Sequence, residues 1–195
     1  MDGLASPRPP GRSLSIAPSV KPRWDAMAAK VAKRGDATGM GIDRGISNTV
    51  IALNLLGVPT SSSCEGHIER GLPAPWVEIG KPRPAAAYRL NYAVRDTMRR
   101  RLGVVGAHIA LVEFRSDARA RQGLEKLLAD FNSTRPRSPN ELTIMRRFPS
   151  GVLLQSAWVG AYDPRGIPAE WKKVMLDQSR AEMDAFTRFL TEKLE

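Results

Sequence analysis

The sequence has a single cysteine, Cys64, and only two histidines, so an internal disulfide and any metal site built from several cysteines are excluded. It also lacks a long apolar run: no stretch approaches the roughly 20 residues of a membrane span. The amino terminus lacks the apolar core of a secretory signal. We therefore expect a protein of the reducing cytoplasm with no membrane partner.

Acidic residues are in the minority. Twenty acidic side chains face thirty basic ones, which leaves a formal net charge of +10. The basic set consists of 22 Arg and 8 Lys, and arginine holds phosphate in a bidentate manner. This balance predicts RNA or another phosphate-bearing ligand as the partner. Codon bias in a GC-rich genome produces the same composition, and composition does not separate the two explanations.

The length and the distribution of proline predict one domain with a tail. A chain of 195 residues suits one domain, since about 100 to 200 residues per domain is usual. Residues 1–22 hold five of the fifteen prolines and almost no apolar periodicity, which predicts a disordered basic tail dispensable for folding. Residues 23–195 are expected to form a single α/β domain.

Hydrophobic periodicity interleaves helices with strands. Helices are predicted over 24–33, from Asp43 to Gly57, from Pro84 to Gly103, from Ser116 to Phe131 and after Pro168, and strands over 76–79, 104–114, 142–145 and 152–159. The apolar face of the last helix is predicted to consist of Trp171, Val174, Met175, Ala185, Phe186, Phe189 and Leu190. The expected fold class is α/β (α+β), with helices packed on a mixed sheet and a long C-terminal helix.

Residues 60–67 concentrate reactive side chains. This segment holds four hydroxyls, the only thiol, the Glu65 carboxylate and His67 within eight residues. Cys64 is a candidate nucleophile if a nearby cation or a helix start stabilises its thiolate. Cys64 and His67, with a carboxylate from Glu65 or Glu78, are alternatively three metal ligands with a position left for water.

Two further interpretations of the segment require neither a reactive thiol nor a bound metal. The hydroxyls and backbone amides of a turn at Gly66 are able to hold phosphate or carboxylate. In a purely structural turn, the serines satisfy backbone amides and Cys64 is a small buried apolar residue.

The same segment carries a resemblance to small uncharacterised bacterial and phage proteins. They share an ALN-x-LG pattern, found here at residues 52–57, followed by T-x-x-SCEGH at 60–67 and PW-V-x-I at 75–79. The resemblance covers about thirty residues and implies no activity.

A fainter resemblance is to the wybutosine-synthesis tRNA methyltransferases, whose turn reads Thr-Ser-Ser-Cys-Ser-Gly-Arg. Residues 61–67 keep the Ser-Ser-Cys-x-Gly core, and a strand with Trp76 follows. Residues 109–131 are similar to that family in their order of strand and then helix. Glu65 stands in place of the family's serine and His67 in place of its arginine. The resemblance implies modification of RNA with S-adenosylmethionine as the cofactor.

The sequence therefore predicts a protein that binds or modifies a nucleotide or RNA substrate at this turn, with no metal ligand assigned. The catalytic candidates are Cys64, Glu65 and His67, and the substrate-binding candidates are Ser62, Ser63, Gly66, Trp76 and Glu78. A nonenzymatic anion- or nucleic-acid-binding module and a structural phage or mobile-element protein remain alternatives. Convergence of Glu78, Asp43 or Arg89 on the turn favours an enzyme.

Overall fold

The computed structural model describes residues 14–34, 41–69, 73–80, 118–138, 140–147, 151–161 and 166–195. Its helices are α1 (Lys21–Ala32), α2 (Arg44–Leu55), α3 (Ala118–Ser133), α4 (Trp158–Ala161) and α5 (Ala169–Glu192). Its strands are β1 (Thr60–Cys64), β2 (Trp76–Ile79), β3 (Leu142–Arg147) and β4 (Gly151–Ser156). The helix predicted after Pro84 and the strand predicted over 104–114 lie outside the described residues.

The four strands form one sheet in the order β1-β2-β4-β3, and each described pairing is antiparallel. The α+β class and the long C-terminal helix are confirmed. A mixed sheet contains parallel as well as antiparallel pairs. The three pairings among the described strands, β1–β2, β2–β4 and β3–β4, are all antiparallel.

One face of the sheet carries the core. Alternation along β2 and β4 places Val77, Ile79, Val152 and Leu154 on that face, where they are buried in a cluster with residues of the four long helices. The opposite face carries Trp76 and Glu78 on β2 and their partners on β4. Cys64 pairs with Trp76, so it lies on this second face.

Helix α2 ends in a tight turn that delivers the chain into β1. Gly57 has a φ of +79°, and the Val58 and Gly57 N–H groups donate to Leu53 O and Asn54 O, as in a Schellman motif. The Asn54 amide then donates to Thr60 Oγ1 at 2.8 Å. The predicted end of this helix at Gly57 is confirmed, and the register of β1 is fixed relative to α2.

The chain bends at Trp158, where the sequence predicts that the strand continues to residue 159. Strand β4 ends at Ser156, and α4 begins at Trp158. The buried Trp158 indole donates to Ser179 Oγ on α5 at 2.9 Å. A buried indole N–H needs an acceptor, and this one lies on the neighbouring helix rather than along the strand.

The core face of α5 differs from the predicted face at its start. Trp171 and Val174 are 62% and 47% exposed, whereas Leu176, Met183, Phe186 and Leu190 are buried. The apolar pattern begins at Leu176 because the first two turns of this helix extend beyond the core. Among the described helices, none combines the length and the apolar character needed to cross a membrane.

The expected tail is partly packed against the domain. Val20 is buried, and Leu14, Ile16 and Ala17 pack against the same core cluster. Helix α1 begins at Lys21, inside the segment assigned to the tail. The high proline content conceals this short apolar stretch, which lacks a regular period of its own.

Candidate functional site

The candidate site lies where the start of α2, the end of β1 and the side of α5 meet. We call residues 63–67 the SCEGH turn. Gly66 has a φ of +80° and is buried, and a Cβ on it would lie 2.6 Å from Leu176 Cδ1 and 2.7 Å from the Ala74 carbonyl carbon. Glycine is therefore required for both the backbone angle and the space.

Arg180 on α5 holds the backbone of the turn. Its Nε donates to Glu65 O at 3.0 Å, and its Nη2 donates to Gly66 O at 2.8 Å. Nη2 also lies 3.9 Å from Glu65 Oε1. A planar guanidinium that binds two successive carbonyls fixes the direction in which the turn leaves β1.

The turn and the start of α2 exchange capping groups. Asp43 is the N-cap residue of α2, but its carboxylate makes no capping bond to that helix. Asp43 Oδ2 instead accepts the Glu65 N–H at 3.1 Å, while Glu65 Oε2 accepts the Gly45 N–H at 2.8 Å. Glu65 thus satisfies an N–H of the first helical turn, a role that the N-cap side chain usually fills.

This exchange brings Asp43 to the side chains of Cys64 and His67. His67 Nε2 lies 3.5 Å from Asp43 Oδ2, and one ligand atom from each of the three residues lies within 4.8 Å of the other two. The His67 and Asp43 side chains are 22% and 27% exposed, so solvent reaches the cluster. We call these three residues the Asp-Cys-His cluster.

The surroundings of Cys64 favour its neutral thiol over the thiolate. Burial raises the pKa of this thiol above its ordinary value, and the negative charges of Asp43 and Glu65 raise it further, against the opposing effect of the Gly66 N–H. That N–H donates to Cys64 Sγ at 3.4 Å. A nucleophilic cysteine needs a lowered thiol pKa, whereas these surroundings raise the pKa of Cys64.

The substrate-binding candidates separate into two sets. Ser62 and Glu78 pair across the β1–β2 ladder on the face of Cys64, and Ser62 Oγ donates to Glu78 Oε2 at 2.5 Å. Trp76 is the cross-strand neighbour of Cys64 and is half-buried. Ser63 points to the core face, where its hydroxyl oxygen is buried and has no hydrogen-bond partner among the described residues. A ligand that contacts Cys64 therefore does not reach the Ser63 hydroxyl.

The carboxylate of the cluster is not one of the two that the sequence suggests. Glu65 is engaged by Gly45, and Glu78 by Ser62, whereas Asp43 meets Cys64 and His67. Of the three residues whose convergence favours an enzyme, Asp43 lies at the turn, Glu78 pairs with Ser62 on the neighbouring strand, and Arg89 lies outside the described residues. Asp43, Cys64 and His67 have the chemistry and the proximity of a metal-ligand set.

Arg180 is absent from the candidates that the sequence suggests, and Asp43 is among them only as a residue whose convergence on the turn favours an enzyme. Asp43 looks like an ordinary helix cap, because its bond to Glu65 spans 22 residues. Arg180 lies 115 residues from the carbonyl it binds and looks like any exposed arginine of an amphipathic helix. No local pattern marks either contact.

The comparisons with known proteins are negative: no family model, no curated protein and no solved structure matches this chain.

Proposed function

We propose that the protein binds or modifies a nucleotide or RNA substrate at the SCEGH turn. The observation that carries this proposal is the convergence of Asp43, Cys64 and His67 at a turn whose backbone is fixed from two sides. Reactive side chains held by packing and hydrogen bonds, yet open to solvent, are typical of sites that act on a ligand. A turn with only a structural role needs the backbone bonds but not this cluster.

The net charge supports a phosphate-bearing substrate. The chain carries a formal charge of +10, which attracts polyanions over distances comparable to the Debye length. Arg44 is exposed and directly follows Asp43 at the start of α2, so a positively charged residue is adjacent in the chain to a member of the cluster. Arg44 is therefore the first arginine to test for a phosphate contact.

The roles of the catalytic candidates differ in this proposal. His67 contributes its imidazole to the cluster, where Nε2 lies 3.5 Å from Asp43 Oδ2. Glu65 is a positioning residue, since its carboxylate binds Gly45 and its backbone binds Arg180 and Asp43. Cys64 contributes its sulfur to the cluster.

Binding is tested by fluorescence anisotropy with a labelled single-stranded RNA and, separately, with a labelled nucleoside triphosphate. We expect affinity for RNA to fall steeply between 50 and 200 mM salt, because phosphate contacts release counterions. We expect Arg44→Ala to weaken binding several-fold and to reduce the salt dependence. The absence of binding to either ligand at low salt would contradict the proposal that the protein binds nucleotides or RNA.

The matched control is Arg188→Ala, since Arg188 is also an exposed arginine but lines a groove between α3 and α5 with Arg135, Arg137 and Phe189. Equal binding in this control and the parent protein supports the turn as the site. A larger loss with Arg188→Ala than with Arg44→Ala would place the RNA in the groove and contradict the proposal.

Mass spectrometry of the RNA after incubation distinguishes modification from binding. The reaction is run with and without S-adenosylmethionine, the cofactor implied by the resemblance to the tRNA methyltransferases. A mass change that His67→Asn abolishes, while anisotropy shows unchanged binding, supports an enzyme. Binding without any mass change supports the nonenzymatic module.

A further inference from the structure

The Asp-Cys-His cluster combines three different kinds of metal ligand. Asp43 supplies a carboxylate oxygen, Cys64 a sulfur and His67 an imidazole nitrogen. The three residues come from the N-cap of α2, the last residue of β1 and the end of the SCEGH turn, so folding alone assembles the set. All three are half-buried, so the protein shields the cluster in part and leaves it open to solvent in part.

The spacing of the cluster fits a tetrahedral ion. Bonds of about 2.0 to 2.2 Å from zinc to oxygen and nitrogen place two such ligands roughly 3.4 Å apart on a tetrahedron. Asp43 Oδ2 and His67 Nε2 are 3.5 Å apart, which is longer than a normal hydrogen bond. The remaining separations, at most 4.8 Å, close to ligand distances with side-chain movements of about 1 Å.

Neighbouring groups already orient two of the three ligand atoms. Asp43 Oδ2 accepts the Glu65 N–H, and Cys64 Sγ accepts the Gly66 N–H. Hydrogen bonds of this kind direct the ligands and stabilise their negative charge in metal sites. Arg180 fixes the backbone that donates both bonds, so the ligand geometry depends on α5 as well.

We propose that Asp43, Cys64 and His67 bind one zinc ion through Oδ2, Sγ and Nε2 and leave its fourth position open. A set of one thiolate, one imidazole and one carboxylate suits zinc, whereas magnesium and calcium prefer oxygen ligands alone. The ion displaces the thiol proton of Cys64 when it binds. Three protein ligands with an open position are typical of catalytic rather than structural zinc sites.

The charge of the loaded site is compatible with a phosphate-bearing substrate. The two positive charges of zinc balance the Asp43 carboxylate and the Cys64 thiolate that forms when the ion binds, so the three ligands leave no net negative charge to repel phosphate. The open position then accepts a water molecule or a phosphate oxygen of the substrate. Only this last role depends on the proposed function, since zinc binding itself needs no nucleotide or RNA.

Cobalt substitution tests the site on the full chain without any mutation. Protein treated with a chelator and then dialysed is titrated with Co²⁺ and followed by absorption. We expect visible bands of a tetrahedral ion and a near-ultraviolet thiolate-to-cobalt charge-transfer band, both saturating at one equivalent and both lost on addition of Zn²⁺. Saturable bands without the thiolate band would overturn Cys64 as a ligand, and no bands would overturn the site.

Variants then identify the ligands by Zn²⁺ affinity in competition with a chromophoric chelator. Asp43→Asn, Cys64→Ser and His67→Asn are each expected to weaken binding at least a hundredfold. The matched control is Glu78→Gln, a carboxylate on the same sheet face that binds Ser62 and should leave affinity unchanged. Equal affinity in Asp43→Asn and the parent protein would contradict the proposal, and circular dichroism confirms that each variant is folded. Because no RNA is present, failure of RNA binding leaves this result intact.

Discussion

At the scale of single residues, the site depends on an exchange between Asp43 and Glu65. Each carboxylate performs the task expected of the other: Glu65 binds an N–H in the first turn of α2, and Asp43 faces the reactive side chains of the SCEGH turn. A helix N-terminus stabilises a nearby negative charge, so Glu65 gains from its position there. The exchange explains why an acidic residue occurs within the turn.

Gly66→Ala tests whether the turn has room for any other residue. Gly66 and Gly57 have almost the same φ, +80° and +79°, but only the added Cβ at 66 meets other atoms within 3 Å. Both alanine variants incur about 1 to 2 kcal/mol for the left-handed backbone. We expect Gly66→Ala to lower the free energy of unfolding by at least about 2 kcal/mol more than Gly57→Ala, because overpacking adds its own cost. Urea unfolding of both variants measures the difference.

Equal destabilisation by the two substitutions would contradict the close packing of Gly66 against Ala74 and Leu176. Zinc affinity gives a second, independent comparison, since Gly66 donates to Cys64 Sγ whereas Gly57 lies outside the site. Only the variant at 66 is expected to weaken it.

The sequence predicts that the candidate site is the SCEGH turn, but it does not predict what each residue around the turn contacts. The density of hydroxyl, thiol, carboxylate and imidazole groups in residues 60–67 is a local signal and is visible without a structure. The direction of the Ser63 side chain is not visible in the sequence, because a β-bulge between Thr60 and Ser62 shifts the alternation of side chains along β1. Asp43 and Arg180 reach the turn only through tertiary contacts.

At the scale of elements, α2 and α5 support the site together. α2 supplies Asp43, and α5 supplies Arg180 and Leu176. The two helices are joined inside the core by a hydrogen bond of 2.7 Å between the buried hydroxyls of Thr49 and Thr187. Loss of this bond loosens the pair of helices that holds the turn.

Substitution of the two threonines should have unequal effects. Thr187 Oγ1 donates its only hydrogen to Met183 O at 2.8 Å, so Thr49 is the donor of the interhelical bond. Thr187→Val leaves the buried Thr49 hydroxyl without its acceptor, at about 1 to 3 kcal/mol. Thr49→Val removes the donor itself, and the loss should be about 1 kcal/mol or less. Thermal or urea unfolding of both variants measures the order.

The double variant completes this comparison, because two valines of similar shape leave no hydroxyl unpaired. We expect it to be more stable than Thr187→Val alone. A larger loss in Thr49→Val than in Thr187→Val would contradict the assigned direction of the bond.

Element boundaries follow from the sequence where a local residue sets them. Gly57 ends α2, Pro75 and Gly80 enclose β2, and Pro168 precedes α5, all as predicted. The prediction is wrong where a distant partner decides: Trp158 leaves the strand because its indole reaches Ser179. The exposed start of α5 is a similar case, since periodicity does not show where the core ends.

At the scale of the whole molecule, the described part of the chain is one sheet with its core on the helical face. The Asp-Cys-His cluster lies at the edge strand β1, next to the N-terminus of α2. Among the described strands β1 lies at an end of the sheet, and it leads directly into the candidate site.

Two deletions test how much of the amino-terminal segment belongs to the domain. Removal of residues 1–21 eliminates Val20, whose burial contributes about 1.5 to 3 kcal/mol, together with Leu14 and Ile16. We expect the thermal midpoint to fall by at least about 5 °C, since each kcal/mol corresponds to about 2 to 4 °C in a chain of this size. Differential scanning calorimetry makes the measurement.

The control deletion ends at Ser13 and keeps all of these packing residues. Its midpoint is expected to stay within about 1 °C of the full chain, as the proline-rich composition predicts. If the longer deletion is equally harmless, the packing of Val20 against the core is wrong.

The most direct test of the account is zinc K-edge X-ray absorption on the full chain loaded with one equivalent of Zn²⁺. The Asp-Cys-His cluster predicts one sulfur at about 2.3 Å and two to three nitrogen or oxygen ligands at about 2.0 to 2.2 Å, including the multiple-scattering signature of one imidazole. The Cys64→Ser protein should lose the sulfur shell and keep the imidazole. A first shell of oxygen and nitrogen alone in the parent protein, or one with no imidazole, would contradict the site.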